Sequence, residues 1–247
     1  MNAAEAPERS GTRAPGRLSR ALLRLLMKHA TIVAAERPAD GFRLITLEGR
    51  ALRGVKWVPG QKLQVAMGSA FSARTYTPID WDAAAGRTRI LGWTHGEGPG
   101  SAWVRDVQPG EECDLFGPRA SLDVRGMGGT LALFGDETSI GLARALAHGD
   151  GPRSLHCHFE VGDIASAGRV LAGLGIDAAL VARRGDETHI AEMEAALPAL
   201  AAGGASFVLT GKAGTIKRLR QGLKQLGVPA ARLATKAYWA PGKTGLD

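Results

Sequence analysis

The residues most able to do chemistry lie between Arg74 and Trp103, in RTYTPIDWDAAAGRTRILGWTHGEGPGSAW. Side chains alternate across a strand, so Arg74 and Tyr76 share one face and Thr75 and Thr77 the other. Pro78 cannot donate to a ladder and is expected to end that strand. An arginine grips phosphate with paired donors, a tyrosine presents a flat face to a ring, and a threonine supplies a short donor and acceptor. Phosphate, ring and ring edge are the parts of a flavin nucleotide. At the far end of the stretch, Gly98 and Gly100 permit close backbone approach. Ser101 is placed to cap a helix whose free N–H groups suit a pyrophosphate, and Arg74 could share that phosphate.

These residues need a scaffold. From Ala30 onward the pattern is of short strands parted by turn residues, with candidates at 31–35, 42–47, 62–67, 73–77, 88–94 and 112–115. Six such strands read as a small all-β domain, for which a closed antiparallel barrel is one way to remove exposed edges. After Val124 the run Arg-Gly-Met-Gly-Gly reads as a linker, and the rhythm changes to strand then helix. Strands are expected at 130–134, 154–161, 178–181 and 205–209, with helices at 138–147 and 215–226. That alternation argues a parallel sheet covered by helices, which binds nucleotides at the carboxyl ends of its strands. Gly135-Asp-Glu-Thr138 and Gly211-Lys-Ala-Gly214 occupy two such ends, and neither is a GxGxxG fingerprint. The fold class expected is therefore β plus α/β, a barrel over 17–125 and a nucleotide-binding domain over 129–247.

Two other groups have competing readings. His156, His158 and Glu160 alternate onto one strand face and could ligate a metal, but such a pattern is more often a polar sheet face, so no metal is assigned. Arg183 and Arg184 follow a strand and could read a 2′-phosphate, or be surface cations.

Order and spacing sharpen the picture. Arg74-Thr-Tyr-Thr77, His95-Gly-Glu-Gly-Pro-Gly-Ser-Ala-Trp103, Pro109-Gly110, Gly117-Pro-Arg119, Gly135-Asp-Glu-Thr138 and the ending Tyr238-Trp-Ala-Pro-Gly-Lys-Thr-Gly-Leu-Asp247 together resemble the siderophore-interacting protein family. Those proteins are flavin-dependent ferric-siderophore reductases of the ferredoxin–NADP reductase superfamily. The resemblance implies an FAD site on the barrel, built from Arg74, Tyr76, Thr77, His95, Gly100, Ser101 and Ala102. It implies NADH or NADPH on the second domain, with Asp136, Thr138, Gly211 and Trp239 as cofactor contacts. Lys62, Arg119, Lys236 and Lys243 stand near the family's motif positions, where a basic approach would recruit an anionic ferric chelate. The implied activity passes a hydride from NAD(P)H to FAD, then single electrons to chelated Fe(III). A reductase serving a protein acceptor and a non-enzymatic siderophore-binding protein are the alternatives.

Composition limits the rest. The chain has 247 residues, 45% hydrophobic, with two cysteines, too few for a cysteine-ligated cluster or a disulfide framework. No apolar run reaches membrane-span length and no signal peptide is evident, so a cytoplasmic protein without integral membrane association is expected. The net charge of +7 invites a nucleic-acid reading. Residues 1–30, however, hold six arginines and lysines against two glutamates, which leaves only +3 for everything after Ala30. That location, with no recognised binding motif, argues against nucleic acid. Residues 1–16 read as a disordered tail, and Arg17, Arg20, Arg24 and Lys28 recur along one face of an expected amphipathic helix.

Overall fold

The computed structural model describes residues 27–67, 73–149 and 154–243. Its N-terminal part is an antiparallel sheet. The strands are β1 (Lys28–Glu36), β2 (Phe42–Glu48), β3 (Lys62–Ala66), β4 (Ala73–Tyr76), β5 (Pro78–Asp82), β6 (Arg87–Trp93) and β7 (Glu112–Arg119), in the order β4-β3-β7-β1-β2-β6-β5. The two end strands are consecutive in the chain, so the sheet curls until Thr77 alone bridges its margins. No ladder joins β4 to β5 among the described residues, and the barrel is therefore split along that line. Pro78 does end β4, but it also opens β5, the one strand of this sheet not anticipated. An edge strand's first residue is where proline costs no ladder bond. Lys28 begins β1 and so is no helix end; the rest of the expected amphipathic helix and the tail lie outside the described residues.

Helix α1 (Pro99–Asp106) interrupts the strands. Gly98 is its extended N-cap and Pro99, whose φ is preset for a helix, its first residue. Its far end is strapped to β2: Arg43 donates to the carbonyls of Val104 (3.3 Å) and Arg105 (3.0 Å), and to Ala35 (3.0 Å). A cation at the carbonyl end complements the helix dipole and fixes where the other end points.

The C-terminal part is a parallel sheet, β10-β9-β8-β11-β12, from β8 (Leu131–Asp136), β9 (Leu155–Val161), β10 (Ala178–Ala182), β11 (Ser206–Lys212) and β12 (Leu233–Trp239). Its helices are α2 (Ile140–Ala147), α3 (Ile164–Leu174), α4 (Ile190–Glu194), α5 (Leu197–Ala202) and α6 (Ala213–Gln225). In order along the chain the strands run 3-2-1-4-5, a doubly wound sheet whose switch point lies between β8 and β11. Every residue of β8 is buried, as a central strand covered on both faces requires.

One core fills the first sheet around Ile32, Ile45, Leu63's neighbour Val65, Ile90 and Leu115. A second covers the α4–α6 face of the parallel sheet around Phe134, Phe207 and Leu219. The third is shared: Phe42 and Ile79 of the barrel pack in one cluster with Leu131, Leu133, Ile140 and Leu142. The two parts are thus joined by core, with α2 lying against β5. Ile79, 1% exposed, sits at that joint. Ile79→Ala should lower unfolding free energy by about 2–5 kcal/mol, read by urea denaturation. A loss under about 1 kcal/mol would mean that the joint is not packed as described.

Candidate functional site

The seam between the two sheets gathers most of the singled-out residues. On the barrel side the stem of Arg74 lies across the first turn of α1. A Cβ built on Gly100 would stand 2.9 Å from Arg74 Cγ and 3.3 Å from Cδ, so the absent side chain is what admits the arginine. Helix geometry leaves the Gly100 and Ser101 amides without intrahelical acceptors, and Arg74 brings its charge beside them. Its guanidinium also donates to the Ala73 carbonyl (2.9 Å), which sets its direction. Cation and free amides at one point make an anion seat.

Tyr76 follows on the same face, its ring 5.6 Å from Trp103 of α1 and tilted by 46°. Burial pushes its phenol well above the ordinary range, with Arg74 opposing weakly, so the ring stays neutral.

Ser101 does not cap the helix. It is 4% exposed, and its hydroxyl accepts from the His95 amide (3.0 Å) and donates to the His95 carbonyl (3.0 Å), closing the 95–100 turn. The Ala102 amide is likewise spent on Gly98 (3.0 Å). These two residues shape the turn, and the helix contribution to an anion comes from Gly100 and the Ser101 backbone.

The closed turn holds His95 out from the barrel, stacked on Trp93 (4.8 Å, 17°) and 6.4 Å from Trp239 of the other sheet. Trp239 arrives with Tyr238 through an irregularity in β12. Ala237 pairs with Gly211 and Trp239 with Lys212, which leaves Tyr238 as an extra residue. A bulge re-aims side chains, so both aromatic residues serve the seam instead of pointing to opposite faces. The Tyr238 hydroxyl is hydrogen-bonded to the Thr77 side chain, and burial pushes its pKa up to about 12.

Trp239 Nε1 donates to Asp136 Oδ2 (2.7 Å), and here the expectation is corrected. Asp136 is wholly buried and no floor facing a ring. Its carboxylate also accepts from the Thr138 amide (2.9 Å) and hydroxyl, capping the turn that leads into α2. Gly211, at φ +93°, is packed onto the same carboxylate, and a Cβ there would come within 2.4 Å of Oδ2. Asp136, Thr138, Gly211 and Trp239 are therefore one anchor at the switch point. The surfaces left to a ligand are the exposed parts of Trp239 and Thr138.

Of the four basic candidates, Lys62 and Arg119 are a cross-strand pair on β3 and β7. The register Leu63↔Tyr76 brings Lys62 beside Thr77. Arg119 lies over the Phe116 ring (4.3 Å) and donates to Gln64 (2.5 Å), while its Nε is buried with no protein partner. Lys236, on β12 opposite Thr210, belongs to the other sheet, and exposed Lys243 follows in the loop beyond β12.

Sequence reasoning missed a buried polar chain behind the switch point. Arg183 donates to Glu137 (2.5 Å and 3.3 Å) and to the Glu160 carbonyl (2.9 Å), and its guanidinium lies 5.7 Å from the Trp93 ring centre. It is thus no uncommitted reader of phosphate. Glu160 accepts from His189 Nε2 (2.6 Å) and Thr215 (2.6 Å), while His158 stacks on Phe134 (4.5 Å), so the two are on separate errands and not a joint metal face. The partners of Glu160 stand 29 and 55 residues away, a separation no local pattern carries.

Comparison with known proteins decides the family. Residues 63–122 match the siderophore-interacting FAD-binding domain, and residues 129–242 match the siderophore-interacting protein model. The chain belongs to the siderophore-interacting protein family. Among solved structures it is similar to a siderophore utilization protein from T. fusca (22% identity, TM-score 0.67, covering 90% of this chain and 95% of that one). It is also similar to the siderophore-interacting protein SipS from Aeromonas hydrophila (19%, 0.70, 88% and 93%). Phthalate dioxygenase reductase, described as a modular structure for electron transfer from pyridine nucleotides to [2Fe-2S], shares the fold at 16% identity (0.71, 88% and 70%). No curated protein matches the chain. A flavoprotein of the reductase fold is the function at this level, and among the described residues no helix is long and apolar enough to cross a membrane.

Burial lifts the Asp136 carboxyl from 3.8 to about 6 against the pull of its Thr138 and Trp239 donors. A folded pKa above the unfolded one means that stability is highest below the unfolded value and falls as pH rises toward the folded one. Between pH 3 and 7 the wild type should lose about 3 kcal/mol relative to Asp136→Asn, about two-thirds of it between pH 4 and 6, with no further divergence above about pH 7. Parallel stability–pH curves for the two proteins would overturn the assignment.

Proposed function

We propose that this chain is an FAD-dependent ferric-chelate reductase, drawing electrons from NADH or NADPH and releasing iron from a ferric siderophore as Fe(II). The observation that carries the reading is the Arg74–Gly100 contact. It sets a guanidinium and free helix amides together at one end of a seam whose other end is the dinucleotide switch point.

The residues present fit the group. Arg74 with the Gly100 and Ser101 amides would hold the FAD pyrophosphate, Tyr76 would flank the ring system, and Thr77 would bond its edge. His95 and Trp239 would close the seam from opposite sheets. Bound FAD supplies the conversion between a two-electron donor and a one-electron acceptor. The protein's part is placement. Hydride transfer demands alignment and dryness more than an acid or base, and the shared core holds both halves of the seam in one register. The switch-point anchor of Asp136, Thr138, Gly211 and Trp239 would seat the nicotinamide nucleotide against it.

Lys62 and Arg119 beside Thr77 would receive the anionic chelate, with Lys236 and Lys243 approaching from the second sheet. Arg119, with its unanswered buried Nε, is the strongest of the four. The iron is substrate: Fe(II) binds hard oxygen ligands weakly, so reduction alone frees it. A protein acceptor is the second reading, favoured by the likeness to phthalate dioxygenase reductase.

Three measurements test this. Arg74→Ala should weaken FAD binding about tenfold or more, the cost of a charge-assisted bond, and unchanged flavin retention would remove the central assignment. The parent protein, reduced by NAD(P)H without air, should regain its yellow colour on adding a ferric siderophore. Arg119→Ala should raise KM for the chelate and leave flavin reduction by the nucleotide unaltered. Reoxidation by a ferredoxin-type protein with none by any ferric chelate would establish the second reading instead.

A further inference from the structure

We infer that the switch-point seat accepts the unphosphorylated adenosine ribose, so that NADH rather than NADPH is the electron donor. The inference rests on the nicotinamide reading above and adds its specificity. In a doubly wound sheet of this order the adenosine half of a dinucleotide lies over the end of the second strand. A carboxylate there accepts from a ribose hydroxyl, or an arginine takes up the 2′-phosphate. The second strand is β9, and two residues beyond it stands Asp163.

Asp163 is exposed and fixed. Its Oδ1 accepts from the amides of Ala165 (2.9 Å) and Ser166 (3.3 Å), and its Oδ2 accepts from the Ser166 hydroxyl (2.8 Å). A carboxylate offers about four acceptor positions, so Oδ2 keeps capacity for a further donor. The Ser166 bonds hold its pKa below the ordinary range, which keeps it an anion under all working conditions.

The arginines of α3 and of the end of β10 already have partners. Arg183 is clamped by Glu137 and the Glu160 carbonyl and is only 21% exposed. Arg184 is paired with Glu192 (2.5 Å). Arg169 donates to Ser166 Oγ (3.0 Å), and its charge acts on Asp163 itself. A 2′-phosphate would therefore meet a fixed carboxylate, and no arginine of this group without a partner. A ribose hydroxyl would meet an acceptor.

The test is calorimetric titration of the FAD-loaded protein with ADP-ribose and with 2′-phospho-ADP-ribose, neither of which can be reduced. ADP-ribose should bind about tenfold or more tighter. Asparagine and serine serve as N-caps as well as aspartate does, so Asp163→Asn and Asp163→Ser keep α3 intact while removing the charge. Both should shrink the preference to within about threefold, chiefly by improving binding of the phosphorylated ligand. Equal or tighter binding of 2′-phospho-ADP-ribose by the parent overturns the inference, as does an unchanged ratio in both variants. Binding of neither ligand by protein that retains FAD would remove the nicotinamide reading itself and this inference with it.

Discussion

The apolar joint of Phe42 and Ile79 with Ile140, Leu142 and the β8 residues Leu131 and Leu133 is what the seam depends on. Interfaces between domains of one chain are commonly polar enough to allow relative motion. Here the contact is continuous with the core of the parallel sheet, so the barrel cannot shift without opening that core. The Thr77–Tyr238 and His95–Trp239 contacts are short-range and directional, and they persist only because the joint fixes the distance between strands on opposite sides. The order of cause runs from apolar packing to polar latch to ligand geometry.

Three acidic side chains buried at the strand ends complete the arrangement. Asp136, Glu137 and Glu160 are each at most 3% exposed. Taking a carboxylate out of water is costly, and removing one partner of a buried charge leaves the other uncompensated. Each is answered by fixed donors: Thr138 and Trp239 for Asp136, Arg183 and the Gly162 amide for Glu137, His189 and Thr215 for Glu160. Every one of those donors belongs to a loop or helix leaving the sheet's carboxyl edge or to β12. The buried charges thus pin the loops at the carboxyl edge of the sheet, trading some stability for one loop arrangement.

Much of this was legible in the sequence where the signal is local. The hairpins around Gly41 and Gly86 follow from backbone chemistry that neighbouring residues announce, as does a helix after the glycine turn, although its cap is Gly98 and not Ser101. The change of rhythm after Val124 likewise marks where the parallel sheet begins. The illegible parts are those fixed from afar. Pro78 reads as a stop because nothing nearby tells that β6 will accept Pro78 to Asp82 as an edge partner. Asp136 reads as a ligand-facing acid because the residue that claims it, Trp239, lies 103 positions on. Leu233-Ala-Thr-Lys-Ala-Tyr-Trp239 is weakly apolar and becomes a strand only when β11 offers its edge. For the candidate site, residue types were legible while their orientations were not: Ser101 was expected to cap the helix and instead lies within it, its hydroxyl bonded to the His95 backbone.

Strand β12 comes last among the described elements, yet it supplies the two aromatic residues, Tyr238 and Trp239, that the second sheet brings to the seam. A ribosome delivers the chain from the N-terminus, and domains fold as they emerge. The barrel, its anion seat and β8 through β11 are all exposed to the cell before Tyr238 and Trp239 exist. Until then Asp136 is a carboxylate lacking its indole donor and Thr77 lacks its latch. A chain lacking residues 233–239 would leave the Asp136 carboxylate without its indole donor, Thr77 without its Tyr238 partner, and the β11 edge without a neighbour.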